Sequence, residues 1–125
     1  MKVRHILGAW EELQDIGNGF TDSYLGQREK DLADAITAAL ESADFVLAYY
    51  DLEYYEGTAY VLYLKDGVWY EVDGSHCSCY GLEGQWEPQE TNVEALKLRL
   101  ATGSFDYDEG RDLLCKMLIK EYLGA

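Results

Sequence analysis

The segment spanning residues 58–73, TAYVLYLKDGVWYEVD, constrains the fold more than any other part of the chain. Residues 58–64 and 68–73 are rich in β-branched and aromatic side chains, which suit a pleated, half-buried surface. Lys65-Asp66-Gly67 between them is a short hairpin loop, and Gly67 accepts a positive φ without steric cost. An antiparallel pair follows, and the neighbouring segments are read around it. FVLAYYDL over 45–52 has the same composition and reads as a preceding strand. Glu56-Gly57 marks a turn or bulge, and Asp73-Gly74 a further turn. SHCSCY over 75–80 then reads as a returning fourth strand.

Helical patterning surrounds this β region. Val3, Ile6, Leu7, Trp10 and Leu13 recur at helical spacing, so residues 2–16 read as an amphipathic helix that Gly17 and Gly19 stop. Residues 27–43 are rich in Ala, Leu and Glu, with Leu32, Ile36, Ala39 and Leu40 on one face. Thr91 or Asn92 caps a helix over 93–101, with Glu94 near its start and Gly103 beyond its end. Residues 108–123 form the last helix, with Leu114, Met117, Leu118 and Tyr122 as its expected buried stripe. A chain of 125 residues with a single proline and 48% apolar residues is expected to form one domain over 1–125. The segregated order predicts an α+β fold: an antiparallel four-stranded meander flanked by two N-terminal and two C-terminal helices.

Charge is distributed unevenly over this framework. The formal net charge is -14, and between Asp31 and Glu94 fourteen acidic residues accompany one basic residue, Lys65. Eight of the eleven tyrosines fall between Tyr49 and Tyr80. Gathering like charges costs a compact domain stability, so such a surface either serves solubility or meets a positive partner. It disfavours direct binding to nucleic acid or an anionic membrane, both polyanions. No apolar run approaches the ~18 residues of a membrane span, and MKVRHILGAWEEL lacks a signal-peptide pattern. The expected location is the cytosol, where three cysteines, an odd number, fit reduced thiols.

The candidate chemistry is sparse. His76, Cys77 and Cys79 resemble half of a zinc site, but strand alternation puts the cysteines on one face and His76 on the other. A closed site needs four ligands, and only His5 and Cys115 remain. The competing reading makes Cys77 and Cys79 small buried core residues, too close in sequence for a strand disulfide. A nucleophilic thiol requires a base and an orienting group, and nothing in the sequence brings His5 or His76 to Cys77 or Cys79. Asp51 and Glu53 alternate on one strand face, a pattern shared by carboxylate pairs and ordinary solvated faces. No calcium loop, phosphate-binding glycine loop or dinucleotide fingerprint is present. Neither a catalytic residue nor a cofactor is therefore expected.

The stretch Tyr49–Pro88, and above all SHCSCYGLEGQWEP over Ser75–Pro88 with YYDLEYYEG ahead of it, resembles a family of small uncharacterised proteins of bacteriophages and other mobile elements. The resemblance covers about a third of the chain and implies a phage or prophage setting. It carries no catalytic assignment. Small acidic phage proteins often inhibit host nucleases, some by placing carboxylates where DNA phosphates sit. This chain is similar to those inhibitors in size, charge and aromatic content.

These readings converge on a binding protein rather than an enzyme. Its expected partner is a basic surface of a host nucleic-acid-binding defence protein, in the manner of an anti-CRISPR or anti-restriction inhibitor, with DNA mimicry as one means. Asp51, Glu53, Glu56, Asp73, Glu83, Glu87 and Glu90 supply the charge, and Tyr54, Tyr55 and Trp86 the aromatic anchors. The alternatives are a small metal- or thiol-dependent module around His76, Cys77 and Cys79, and a phage regulatory or structural protein with no charge-based role.

Overall fold

The computed structural model describes residues 2–53, 56–76 and 81–124, with the backbone alone at 23, 52, 53 and 56. The chain divides into two compact units, 1–90 and 91–125. Among the described residues the architecture is α+β, with four α-helices and a five-stranded mixed sheet in the order β1-β2-β3-β4-β5.

Strand β1 (Val3–Gly8) leads into helix α1 (Leu13–Gly19), a short 3-10 turn at Ser23–Leu25 and helix α2 (Gln27–Ser42). Strands β2 (Phe45–Glu53), β3 (Glu56–Lys65) and β4 (Val68–His76) follow as an antiparallel meander. The 65–67 hairpin is as expected: Lys65 pairs with Val68, and Asp66 and Gly67 both take positive φ, 52° and 80°.

The N-terminal segment departs from its expected helix. Residues 3–8 form β1, which pairs in parallel with β2, Val3 opposite Phe45 and Leu7 opposite Tyr49. The helical spacing of Val3, Ile6, Leu7, Trp10 and Leu13 runs across a short strand, the 9–12 link that holds Trp10, and the start of α1. Pairing decides the outcome, because β2 would otherwise present an unpaired edge. Parallel neighbours need a crossover connection, and α1 and α2 supply it. Lys2 Nζ and Arg4 Nη2 both donate to the Glu41 carbonyl, at 2.7 and 2.8 Å. They satisfy and electrostatically complement the carbonyl end of α2.

Three further expectations are corrected. Gly17 lies within α1 rather than stopping it, and the helix runs on to end at Gly19. A Cβ on Gly17 would stand 2.5 Å from the Ala33 carbonyl oxygen and 2.6 Å from Thr37 Oγ1, so glycine sets how closely α1 approaches α2. Asp73-Gly74 is not a turn, because β4 runs through it to His76. A Cβ on Gly74 would lie 3.0 Å from Leu82 Cδ2 and 3.2 Å from Phe20 Cε1, so the glycine makes room for packing and not for a reversal. The sheet is thus not a four-stranded antiparallel meander. Ser75 and His76 extend β4, residues 77–80 of the expected fourth strand lie outside the described residues, and the fifth strand is β5 (Gln89–Thr91).

One sheet face packs in the core of residues 1–90. Val46 and Ala48 of β2, Val61 and Tyr63 of β3 and Val72 of β4 meet Trp10, Ile16, Phe20, Ile36, Leu40, Ala43 and Leu82. Each fully buried Leu, Ile or Phe stabilises by about 1.5–3 kcal/mol relative to exposure. The opposite face carries Phe45, Leu47, Tyr49, Tyr60, Leu62 and Trp69, all buried.

Residues 91–125 contain helices α3 (Val93–Thr102) and α4 (Glu109–Leu123). The Asn92 side chain caps α3 by accepting the Ala95 N–H at 2.8 Å, and Asp108 caps α4 by accepting the Arg111 N–H at 2.9 Å. Within this unit Leu96, Leu100, Phe105, Cys115 and Ile119 are buried. The stripe expected from sequence is rotated: Cys115 and Ile119 are buried on α4, whereas Leu114 and Met117 are exposed. No helix among the described residues is long and apolar enough to cross a membrane.

Candidate functional site

The alternation of β2, β3 and β4 sorts the acidic and aromatic residues onto two faces. Asp51 pairs with Thr58, Thr58 with Ser75, and Tyr60 with Asp73, so these residues share the face that carries Tyr49 and Leu62. This face grades from apolar at Phe45 and Trp69 to carboxylate-bearing at Asp51, Glu71 and Asp73. Tyr60 marks the boundary: its hydroxyl donates to Glu71 Oε2 at 2.7 Å, and its ring lies 5.8 Å from that of Tyr49. Asp73 is exposed and Asp51 half-buried. Glu53 and Glu56 are backbone partners in the last register pair of the β2–β3 hairpin. Tyr54 and Tyr55, between them, lie outside the described residues, as do Cys77, Cys79 and Tyr80.

Most of the described tyrosines of this region are structural. Tyr49, Tyr60 and Tyr63 are buried, and Tyr50 and Tyr70 half-buried. Tyr63 stacks on Tyr70 at 5.1 Å, and lies nearly parallel to Trp86 with centroids 6.0 Å apart. Burial pushes the Tyr63 hydroxyl up to about 12, with the neighbouring Tyr70 adding to the shift. Burial also raises the Tyr50 hydroxyl, and the Glu83 carboxylate raises it further.

The loop after β4 is held against that strand by one side chain. Gln85 accepts the Ser75 N–H at 2.8 Å and donates to the Ser75 carbonyl at 2.8 Å and the Gly81 carbonyl at 3.0 Å. Its amide therefore imitates a strand residue at the β4 edge. Leu82 is buried below, and Glu83 Oε1 accepts the Gly81 N–H at 3.2 Å. Trp86 is half-buried and meets Phe20 edge-on at 5.1 Å, so part of it belongs to the core and part is accessible. Beyond this anchored turn Glu87 and Glu90 are exposed.

The structure therefore places Asp73 on β4, the Glu83–Trp86 turn and Glu87 on the connection that follows it, and Glu90 on β5. Asp51 and the Glu53–Glu56 pair belong to the β2–β3 end. The importance of Gln85 was not apparent from sequence, because a glutamine between Gly84 and Trp86 has no periodicity or motif to set it apart.

No family model, curated protein or solved structure matches this chain.

The histidines and the described cysteine are not gathered. His5 lies on β1, edge-on to Phe45 at 5.9 Å, on the sheet face opposite His76. His76 ends β4 with its ring 6.3 Å from that of Tyr50, and its Nδ1 is buried without a hydrogen-bond partner among the described residues. Cys115 is fully buried, and burial holds its thiol at about 12, unsuited to act as a nucleophile near neutral pH. Among the described residues no three His, Cys, Asp or Glu side chains are placed to hold a metal ion.

Proposed function

We propose that this chain is a binding protein, not an enzyme, and that it docks its carboxylates onto a basic surface of another protein. The observation that carries this reading is the setting of three exposed carboxylates, Asp73 on β4, Glu87 on the connection that the Gln85 side chain anchors to β4, and Glu90 on β5. Residues 1–90 hold eighteen acidic and five basic residues, so the long-range field attracts a positive surface. Carboxylates held on an ordered backbone lose less entropy on binding than carboxylates on a free loop. The accessible part of Trp86 lies within this array and supplies apolar contact area.

The target is a nucleic-acid-binding host protein of the defence-nuclease class, inhibited by occupation of its phosphate-binding groove. The resemblance of residues 49–88 to small phage proteins supports that setting, as does the charge of the chain. The protein acts in the cytosol and binds no nucleic acid itself. Affinity capture from a bacterial lysate at low and high salt tests the proposal. Capture of a nuclease or other nucleic-acid-binding protein, weakened by salt and by the triple change Asp73→Lys, Glu87→Lys, Glu90→Lys, is the expected result. Capture indifferent to both salt and charge reversal would overturn it.

The buried Nδ1 of His76, without a hydrogen-bond partner among the described residues, favours a second reading, a metal- or thiol-dependent module with Cys77 and Cys79. Metal analysis of tag-free protein tests the metal-dependent form. Stoichiometric zinc that disappears in Cys77→Ser supports that form, and metal-free folded protein rejects it.

A further inference from the structure

The exposed side of α4 is apolar where a solvent-facing helix surface is ordinarily charged. Leu113 is 68% exposed, Met117 56% and Leu114 36%. Leu113 and Met117 stand one turn apart, and Gly110 extends their line toward the N-terminus of the helix. The surrounding charge is nearly balanced. Residues 91–125 hold five basic and six acidic residues, against five and eighteen in residues 1–90. The acidic excess that would repel a second acidic molecule is thus nearly absent from the unit that bears the apolar stripe.

We infer that this stripe is a self-association surface, on which the α4 helix of a second copy docks antiparallel about a two-fold axis. The charge pattern of the helix selects this occupant. Glu109 and Lys120 flank the Leu113–Met117 line on the same side, one near each end of α4. In an antiparallel pair of identical helices, like flanks face each other. Centring the axis near Cys115 sets Leu113 against Met117 of the second copy, and Glu109 against its Lys120. Symmetry repeats both contacts. Lys116 lies on the same flank, and its ammonium is already engaged by Asp112 at 3.1 Å, which limits repulsion near the axis. Gly110 leaves room for the long Lys120 stem. A single helix pair buries less than the roughly 1,200 Å² of a standard stable interface, so the association is weak and concentration-dependent.

Sedimentation equilibrium of the full chain over a rising concentration series tests the inference through charge exchange. The wild type shifts from monomer toward dimer. Glu109→Lys alone and Lys120→Glu alone each remain monomeric, because each sets like charges together twice. An equimolar mixture of the two variants dimerises, and so does the double variant, since both restore two opposite-charge contacts. Leu113→Glu also abolishes the dimer; if its circular dichroism shows a lost fold, the charge-exchange series decides alone. A wild type that stays monomeric throughout, a dimer indifferent to both charge changes, or a mixture no more associated than its components overturns the inference.

Discussion

The Gln85 side chain pairs with the Ser75 backbone in both directions, accepting its N–H and donating to its carbonyl, each at 2.8 Å. A primary amide has both a donor and an acceptor, so it can complete a strand edge as a peptide group would. This pairing holds the turn that carries Glu83 and Trp86 beside β4. Gln85→Ala is expected to destabilise by about 1–2 kcal/mol, the net value of a few hydrogen bonds whose exposed partners can turn to water. Gln85→Glu is expected to cost more, because its carboxylate would face the Ser75 and Gly81 carbonyls without a proton to donate. Urea unfolding of both variants checks the order, and equal stabilities would contradict it.

Gly8 has φ +70°, and a Cβ there would collide with the Tyr50 carbonyl oxygen that accepts the Ala9 N–H at 2.8 Å. Gly8→Ala therefore meets both backbone strain and a backbone clash, and should destabilise by more than about 1 kcal/mol. A thermal midpoint equal to wild type would rule out this parallel end of the β1–β2 pairing.

Acid stability depends on Asp112. Burial pushes its carboxyl up, but the Phe105 N–H at 2.6 Å, the Lys116 ammonium and the Asp106 N–H together hold it below its ordinary value. A depressed native value stabilises the fold above the unfolded-state value of about 3.9, and that contribution is lost as pH falls through the native value. Asp112→Asn should therefore lower stability at pH 7 and flatten the acid limb of the stability–pH curve. Parallel acid limbs in variant and wild type would contradict the assignment.

Alkaline stability depends on Tyr63. Its native value of about 12 lies above the unfolded value near 10. A raised value stabilises the fold below pH ~10, and this contribution is lost as pH rises toward 12. Ultraviolet titration should show a phenol ionising near pH 12 in the wild type and its disappearance in Tyr63→Phe. The stability of that variant should fall less steeply across the same pH range.

Cys115 offers a direct test of packing in residues 91–125. Burial holds its thiol near 12, so in a Cys77→Ser, Cys79→Ser background the native protein should resist a disulfide reagent at pH 8 and react rapidly once unfolded. Rapid labelling of the native protein would show that α4 does not bury this face.

The segments with local signals were legible in the sequence. The 65–67 hairpin, the helix expected over 27–43 and found at Gln27–Ser42, and a cap at Thr91 or Asn92, which is Asn92, follow from turn chemistry, helix formers and a side-chain acceptor next to the residues it serves; Asp108, expected inside the last helix, is instead its cap. The N-terminal strand was not, because Val3–Gly8 has two faces of mixed polarity and acquires its structure from pairing with β2. The buried stripe of α4 was misplaced for a related reason. Leu113, Leu114, Met117 and Leu118 are apolar on more than one side, and periodicity cannot say which side is covered. Among the candidate site residues, the sequence offered the carboxylates as a group and could not separate exposed Asp73, Glu87 and Glu90 from half-buried Asp51 and Glu83.

By itself, the sequence determined the fold class, the antiparallel core of the sheet, and the concentration of the acidic excess in the first ninety residues. Those properties depend on composition and on contacts a few residues long. Only the tertiary structure decided that β1 joins the sheet in parallel, that most described tyrosines of the acidic region pack rather than project, and that Gln85 anchors the turn beneath Trp86. Each depends on partners distant in sequence or on one hydrogen-bond geometry, neither of which leaves a periodic trace in the chain.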